Sequence, residues 1–256
     1  MSKTKISVVT AVFNRADTVG DAILSVQRQS HPHVDHVIQD GGSTDGTLGV
    51  IQTHMDERTA LKTERDGGIY DAINRGMKRA QGEVIGLLHS DDIFAHDNVL
   101  AQVSEAFADP EVDCVYGDLQ YVAADDMSRV IRHWKSGPYE RDILRHGWMP
   151  PHPTFYLRRS VLERFGDYDT SYQIAADYDA MLRWLWGGRI RATYIPEVMV
   201  KMRVGGESNR SLGRIVQKSR EDYRALKSNG VGGIGALALK NLSKIRQFMP
   251  RPGEYK

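Results

Sequence analysis

The first half of the chain alternates short apolar segments with segments of helical periodicity, and this order restricts the possible folds. Residues 5–12, 36–39 and 83–88 are mostly apolar and contain β-branched side chains. Between them, residues 18–29 and 69–80 place apolar side chains three or four positions apart, as one face of a helix requires. Strands that alternate with helices predict an α/β fold in which a mainly parallel sheet is flanked by helices.

Polar residues follow the three predicted strands at the point where each strand ends. The first strand is followed by Phe13 and Asn14, the second by residues 40–45 (DGGSTD), and the third by residues 89–92 (HSDD). In open α/β sheets, ligands bind at the carboxyl ends of the strands. We therefore expect these three segments to form one polar crevice that binds a ligand.

Two adjacent carboxylates, Asp91 and Asp92, follow an apolar strand. Burying such a pair is costly unless the acids are solvated, cap a helix or coordinate a cation. Magnesium and manganese bind one or two carboxylates together with substrate phosphate oxygens, and would neutralise charge on a departing diphosphate. A cap of the next helix is the alternative interpretation, and both stay open at this point.

The loop at residues 40–45 has the composition of a ligand-binding turn. Its first residue, Asp40, could accept hydrogen bonds from a base or ribose, and its glycines allow close approach of the backbone. The alternative is a tight turn in which Thr44 or Asp45 is the N-cap of the next helix. The loop lacks the glycine spacing of a dinucleotide fingerprint or a P-loop, which argues against a nicotinamide enzyme or a P-loop ATPase.

Four segments in this order together resemble glycosyltransferase family 2, whose fold is called GT-A. They are residues 6–14 (ISVVTAVFN), 38–47 (IQDGGSTDGT), 66–76 (DGGIYDAINRG) and 86–92 (GLLHSDD). The resemblance extends over roughly residues 5–210 and is greatest to the branch that builds bacterial surface polysaccharides, of the colanic-acid and O-antigen type. It implies an inverting enzyme that transfers a sugar from a nucleotide-diphosphate donor, with a UDP-sugar expected, to a hydroxyl of a glycan.

The resemblance also implies which residues bind the donor. Asp40 matches the acid that reads the base, Asp66 an acid that contacts the nucleoside, and Asp91 an acid that contacts ribose or the donor sugar. Asp92 matches the metal-binding acid, so Mn²⁺ or Mg²⁺ is the implied cofactor. Many members carry an acid where Gly41 stands, which leaves Asp40 as the only acid at this spot. The full expected donor set is Thr10, Ala11, Phe13, Asn14, Asp40, Gly41, Asp66 and Asp91.

Inversion requires a base that takes the proton of the acceptor hydroxyl as it attacks opposite the diphosphate. The family places this base at the last acid of an acidic pair before a helix, which makes Asp177 the candidate. Ala176 stands where the other acid is common, and Asp179 is a second candidate. The alternative is that both acids decorate the first helical turn, where the helix dipole stabilises negative charge and lowers a carboxylate pKa.

Two further residues are expected near the acceptor or the diphosphate. His152 lies between two prolines, which hold it in an extended segment; similar members have a histidine there, and a structural histidine is the alternative. Arg203 and residues 205–208 (GGES) resemble a mobile loop that closes over donor phosphates. An ordinary glycine turn before a helix is the alternative for that segment.

Charge is unevenly distributed between the two ends of the chain. Residues 201–256 contain 13 Lys and Arg against 4 Asp and Glu, whereas residues 1–200 contain 21 against 29. A helical projection of residues 234–249 groups seven apolar side chains on one arc, with Lys240, Lys244 and Arg246 outside it. This pattern suits the surface of an anionic membrane through residues 230–256, where a lipid-linked acceptor would be found. A terminal helix that packs on the protein is the alternative.

These observations divide the chain into a catalytic domain and an extension. The GT-A domain spans residues 1–207, with a nucleotide-binding half at 1–110 and an acceptor half at 111–207, and a basic helical extension follows at 208–256. Residues 6–13 are too short and polar for a signal peptide or a membrane span. We therefore expect a cytoplasmic protein, attached peripherally to the inner face of the membrane if the extension binds lipid.

Two other functions use a similar fold. A nucleotidyltransferase would carry a glycine-rich, basic phosphate loop after the first strand, whereas residues 11–15 here read AVFNR. A catalytically inactive glycan- or nucleotide-binding protein is the second alternative, and the presence of Asp40, Asp92 and Asp177 argues against it. The basic tail has no clustered aromatic platform, so no nucleic-acid partner is expected.

Overall fold

The computed structural model describes residues 4–204 and 212–247, and its centre is a nine-stranded sheet. Eight strands follow the spatial order β3-β2-β1-β4-β8-β6-β9-β5, and β7 pairs with β6. The strands in chain order are β1 (Ile6–Val12), β2 (Val34–Asp40), β3 (Thr59–Thr63), β4 (Val84–Leu87), β5 (Asp92–Phe94), β6 (Cys114–Val122), β7 (Val130–Trp134), β8 (Tyr156–Arg158) and β9 (Ala192–Arg203).

Helices cover both faces of this sheet. α1, α2 and α4 pack on one face, whereas α3, α5 and α6 pack on the other. α6 continues as a π-helical turn over Leu182–Gly187, and short 3₁₀ turns occur at Arg141–His146 and His152–Thr154. The helices are α1 (Val19–Gln27), α2 (Thr47–His54), α3 (Ile69–Arg79), α4 (Val99–Ala106), α5 (Arg159–Phe165), α6 (Ala176–Met181), α7 (Leu212–Ser228) and α8 (Ile234–Gln247).

The predicted α/β architecture is confirmed. β1, β2, β3 and β4 are mutually parallel, and every residue of β1 is buried. Ile6 and Val8 belong to the cluster that includes Ala22 of α1, whereas Val9 and Ala11 belong to the cluster on the other face. This burial on both faces explains why β1 reads as a continuous apolar run rather than an alternating one.

The second half of the sheet is mixed rather than parallel. β8 runs antiparallel to β4 and β6, and β5 runs antiparallel to β9. β5 begins at Asp92, and α4 does not start until Val99. Asp91 therefore precedes a strand and Asp92 is its first residue, so the interpretation of Asp91 and Asp92 as a helix cap is wrong.

The C-terminal helices pack on the rest of the protein. Lys240 of α8 forms an ion pair with Asp222 of α7, at 2.9 Å between Nζ and Oδ1, and both side chains are at most 3% exposed. The same ammonium lies 2.9 Å from the ring centroid of Tyr178 in α6. The expected position of Lys240 as a surface cation is wrong, because Asp222 and Tyr178 hold it inside the protein.

The rest of the predicted apolar arc is only partly covered by the structure. Of the arc residues, Ile234 is 75% exposed and Ala238 is exposed, whereas Leu237 is half-buried against the core cluster. Leu239, which lies outside the arc, is 45% exposed. Phe248 and Met249 lie outside the described residues. No helix within residues 4–204 and 212–247 is long and apolar enough to cross a membrane.

Candidate active site

The loops that follow β1 and β2 are tied together by Asn14. Its backbone N–H donates to Ser43 Oγ at 2.8 Å, and its Oδ1 accepts from the backbone N–H of Thr44 at 2.9 Å. Asn14 has a φ of +51°, a left-handed conformation that asparagine tolerates because its short side chain bonds locally. Asn14 therefore fixes the relative position of the two loops, and a donor contact from its side chain stays a prediction.

Asp40 is buried and shapes the loop from inside. Its Oδ2 accepts hydrogen bonds from the backbone N–H groups of Gly42 and Ser43, at 3.0 and 3.1 Å. Asp45 accepts from the backbone N–H of Thr47, the first residue of α2, at 3.0 Å. The loop is thus a tight turn, but the N-cap of α2 is Gly46, so the expectation of Thr44 or Asp45 as the N-cap is wrong. The reading of a base by Asp40 stays a prediction.

A second acid lies beside this loop, which corrects the expectation that Asp40 is the only one there. A Cβ placed on Gly41 would lie 2.6 Å from Oδ2 of Asp66 and 3.4 Å from the ring of Phe13. Asp66 therefore occupies the space that a side chain at residue 41 would need. Phe13 is 56% exposed at the end of β1, so a flat apolar surface and a carboxylate border the same crevice.

Two further donor candidates, Thr10 and Ala11, are interior. Thr10 is fully buried, and its hydroxyl donates to the carbonyl of Leu88 at 2.8 Å and lies 2.9 Å from His36 Nε2. Ala11 is in the core cluster between the sheet and α3. Neither side chain faces the crevice, so a donor contact at these positions would have to come from the backbone.

Asp92 is 1% exposed, and neither carboxylate oxygen has a hydrogen-bond partner among the described residues. Burial, together with the charge of Asp91, raises the pKa of Asp92 well above its usual value, and Arg203 offsets only part of this effect. A buried carboxylate without a partner is costly, and a divalent cation would supply the missing interaction.

The donor set around Asp92 fits a cation held mainly by its substrate. Within residues 4–204 and 212–247 there is no group of three or more His, Cys, Asp or Glu side chains that could hold a metal ion. Mg²⁺ commonly binds through one or two protein carboxylates, with substrate phosphates and water completing the shell. One carboxylate at Asp92 agrees with that mode of binding.

Arg203 connects the acidic pair to α1. Its guanidinium donates to the carbonyl of Asp91 at 2.9 Å and to Oδ2 of Asp21 at 2.5 Å, and its side chain is 10% exposed. These contacts position the Asp91 loop, and the proposed contact of Arg203 with donor phosphates stays a prediction. The glycine-containing segment at residues 205–208 lies outside the described part of the chain.

Two histidines link the acidic pair to the start of α6. His89 Nε2 lies 2.6 Å from His152 Nε2, and His152 Nδ1 lies 3.3 Å from Oδ2 of Asp177. Burial lowers the pKa of His152 to about 4 and also lowers the pKa of His89, so both rings are neutral at pH 7. With the proton of His152 on Nδ1, facing Asp177, its Nε2 accepts from His89.

Asp177 is 15% exposed and is ionised at neutral pH. Burial acts to raise its pKa, but His152, Lys218, Lys240 and the backbone N–H of Tyr178 together outweigh burial and lower the pKa below its usual value. An ionised carboxylate is the form that a general base requires.

The carboxylate of Asp179 contacts Asn229 and Arg183 rather than Asp177 or the two histidines. Its Oδ1 accepts from Asn229 Nδ2 at 2.9 Å, and its Oδ2 lies 3.4 Å from the guanidinium of Arg183. The side chain is 6% exposed. This placement favours Asp177 over Asp179 as the base candidate.

Sequence reasoning missed two groups beside Asp177. His89 was part of a recognised segment but had no assigned role, although its position at the end of β4 marks it as a crevice residue. The hydroxyl of Tyr70 donates to the carbonyl of Ile174 at 2.7 Å and lies 3.3 Å from Asp177 Oδ1. No local pattern indicates Tyr70, because these contacts join α3 to α6 across more than 100 residues of chain.

This sheet order and its crevice at the carboxyl ends of β1, β2 and β4 define the GT-A class of α/β fold. The structure is similar to Staphylococcus aureus TarS 1–349 in complex with UDP-GlcNAc, with a TM-score of 0.67 and 16% identity over 89% of this chain and 66% of that chain. It is also similar to the mannosyltransferase PcManGT from Pyrobaculum calidifontis in complex with GDP-Man and Mn²⁺, with a TM-score of 0.65 and 20% identity over 97% and 77% of the two chains. This chain thus spans less than two thirds of the TarS chain.

The chain belongs to glycosyl transferase family 2, whose sequence model matches residues 7–167. A PGL/p-HBAD biosynthesis glycosyltransferase of Mycobacterium tuberculosis is 28% identical over 221 residues, which are 82% of this chain and 81% of that protein. The family match ends before α6, so Asp177 and both C-terminal helices lie outside the matched residues.

Proposed function

We propose that this glycosyltransferase transfers a sugar, with inversion, from a nucleotide-diphosphate sugar to a hydroxyl of a glycan acceptor. The observation that carries the proposal is the ionised Asp177 beside the crevice, connected through His152 and His89 to the loop of Asp91 and Asp92. In-line displacement requires a base and a diphosphate site on opposite sides of the anomeric carbon, and this arrangement places a base candidate and the acidic loop beside the same crevice.

In the proposed reaction, the acceptor hydroxyl attacks the anomeric carbon on the face opposite the diphosphate. Asp177 takes the hydroxyl proton as the new C–O bond forms, and the bond to the diphosphate breaks with its electron pair on the leaving oxygen. His152 holds the Asp177 carboxylate in place through its Nδ1–H. Asp92 would hold a divalent cation, which would neutralise charge on the leaving diphosphate, and Asp91 binds the ribose or the donor sugar.

We further propose a UDP-sugar as the donor. The exposed ring of Phe13 offers a stacking surface for a base, and the carboxylate of Asp66 lies beside the same loop. A carboxylate accepts from the N–H of a uracil ring. The structural relatives that bind UDP-GlcNAc and GDP-Man support a nucleotide sugar in general.

The donor proposal is tested by measuring nucleotide release from UDP-, GDP- and dTDP-sugars, each with Mn²⁺, Mg²⁺ or EDTA. We expect nucleotide release from a UDP-sugar only when Mn²⁺ or Mg²⁺ is present, and no release with EDTA. Release from none of the donors, combined with retained nucleotide binding, would instead favour a catalytically inactive binding protein on the same fold.

The acceptor is proposed to be lipid-linked, in the biosynthesis of a surface polysaccharide. The support is the similarity to a protein of PGL/p-HBAD biosynthesis and the resemblance of the motifs to the polysaccharide branch. Peripheral attachment to the inner face of the cytoplasmic membrane is part of this proposal. Ile234 and Leu239 each expose an apolar side chain on α8, although the buried Lys240 removes one of the expected lipid-facing cations.

Membrane attachment predicts that the full chain floats with anionic phosphatidylglycerol vesicles and that Ile234→Asp with Leu239→Asp reduces the floated fraction severalfold. The reason is that two exposed apolar side chains would lose their contact with lipid. Equal flotation of the variant and the wild type would contradict attachment through α8, and a neutral phosphatidylcholine vesicle is the control for the role of charge.

A further inference from the structure

One carboxylate of α7 binds the segment that leads into α6. Oε2 of Glu221 accepts hydrogen bonds from three consecutive backbone N–H groups, at distances of 2.8 to 3.1 Å. The three donors are Gln173, Ile174 and Ala175. Gln217, one turn earlier in α7, holds the other oxygen of Glu221 with its Nε2 at 3.0 Å.

The start of α6 has no cap of its own. Its N-cap residue is Ala175, which has no side-chain hydrogen-bonding group, and no local side chain caps the helix. The first N–H groups of a helix need acceptors, and a carboxylate there also interacts favourably with the helix dipole. Glu221, 46 residues further along the chain, accepts from the N-cap residue Ala175 and the two residues before it rather than from the first N–H groups of the helix. It therefore fixes the backbone that leads into α6 and places a negative charge at the start of the helix.

The segment that Glu221 fixes leads to the proposed base. Asp177 is the second residue of α6, so the peptide units fixed by Glu221 directly precede it. The carbonyl of Ile174, in the same segment, accepts the hydroxyl proton of Tyr70, which fixes the segment from the opposite side. The direction of the Asp177 side chain therefore depends on a contact made by α7.

Other contacts made by α7 also hold α6 in position. Asn229, at the end of α7, donates to Asp179 at 2.9 Å, and Asp222 holds Lys240 against Tyr178. Lys218 of α7 contributes to the lowered pKa of Asp177. α7 thus sets the position of α6 at both ends and part of the charge around the base.

We propose that Glu221 is a positioning residue for Asp177 and that α7 belongs to the catalytic unit, although it lies outside the family match. This inference rests on the proposed function of Asp177 as the base. It moves the functional boundary of the catalytic domain beyond residue 207, into a segment that charge and periodicity assign to an extension.

The test compares Glu221→Ala with Glu221→Gln and with the control Glu163→Ala, which removes an exposed glutamate of α5. In nucleotide release from UDP-GlcNAc with Mn²⁺, Glu221→Ala is expected to lower kcat by about 30- to 100-fold while KM for the donor changes by less than about threefold, because misplacement by about 1 Å can cost about a hundredfold in rate. Glu221→Gln retains one acceptor oxygen and is expected to recover most of the rate.

Amide hydrogen exchange at residues 173–176 provides a readout that needs no substrate. Exchange is expected to accelerate at least tenfold in Glu221→Ala, to stay close to the wild-type rate in Glu221→Gln, and to be unchanged in Glu163→Ala. Unchanged exchange in Glu221→Ala, or equal loss of kcat in the Ala and Gln variants, would overturn the proposal. If the wild type releases no nucleotide from any donor, the proposed function fails while the exchange measurement still decides the role of Glu221.

Discussion

Replacing Asp177 with Asn is expected to reduce sugar transfer by about 10²- to 10⁴-fold, the range typical of losing a general base. The amide has the size of the carboxylate but cannot take the acceptor proton at neutral pH. Donor binding should be unchanged, because the expected donor contacts lie at the loops after β1, β2 and β4. The measurement is kcat for transfer, together with the affinity for the donor nucleotide and Mn²⁺ by calorimetry.

Asp179→Asn is the matched control for this prediction. Asp179 is in the same helical turn and is also acidic, but it contacts Asn229 and Arg183 rather than the histidine pair. Asn keeps a side-chain oxygen that can accept from Asn229, so replacement of Asp179 is expected to lower kcat far less than Asp177→Asn does. A large loss of kcat in Asp179→Asn with near wild-type transfer in Asp177→Asn would exchange the two assignments.

Replacing Asp92 with Asn is expected to have opposite effects with and without metal. Without metal, the thermal midpoint should rise or stay constant, because the wild type carries a buried carboxylate with no hydrogen-bond partner among the described residues. With Mn²⁺ and UDP, the wild type should gain stability through linkage, and the variant should lose most of that gain. The measurement is the thermal midpoint with EDTA, with Mn²⁺, and with Mn²⁺ plus UDP.

The control for Asp92 is Asp125→Asn, since Asp125 has a side chain that is 79% exposed and pairs with Arg129. It should behave as the wild type in all three conditions. Equal stabilisation of wild type and Asp92→Asn by Mn²⁺ plus UDP would show that the cation is held by other groups.

The parallel half of the fold could be predicted because its signals are local. β1 is a continuous apolar run, and α3 has buried Ala72, Ile73 and Met77 on one face. β3 escaped prediction because it is an edge strand whose five residues are mostly exposed or half-buried. β5 escaped because it has three residues and begins with an acid, which reads as a cap rather than a strand.

The sequence predicts candidate site residues only where they belong to a motif of the family resemblance. The acids at 40, 66, 91, 92 and 177 follow from the resemblance, but their partners do not. His89 meets His152 across 63 residues of chain, and Glu221 meets Ala175 across 46. Nothing in local sequence marks such pairs, because tertiary packing alone brings them together.

The contacts of the C-terminal extension could not be predicted from the sequence either. The helical projection places Lys240 beside an apolar arc, as at a lipid surface, yet Asp222 draws its ammonium into the interior. Periodicity identifies which side chains share a helical face but not what that face contacts. The contacts between α7 and α6 likewise depend on where the sheet places α6.

The anomeric configuration of the product tests the central claim most directly. The product formed from a donor that supports nucleotide release is analysed by proton NMR, and the coupling at the new anomeric centre is compared with that of the donor. An inverting transfer assisted by Asp177 predicts the opposite configuration, so an α-linked UDP-sugar should give a β-linked product. A product with the same configuration as the donor would contradict inversion and the role of Asp177 as the base.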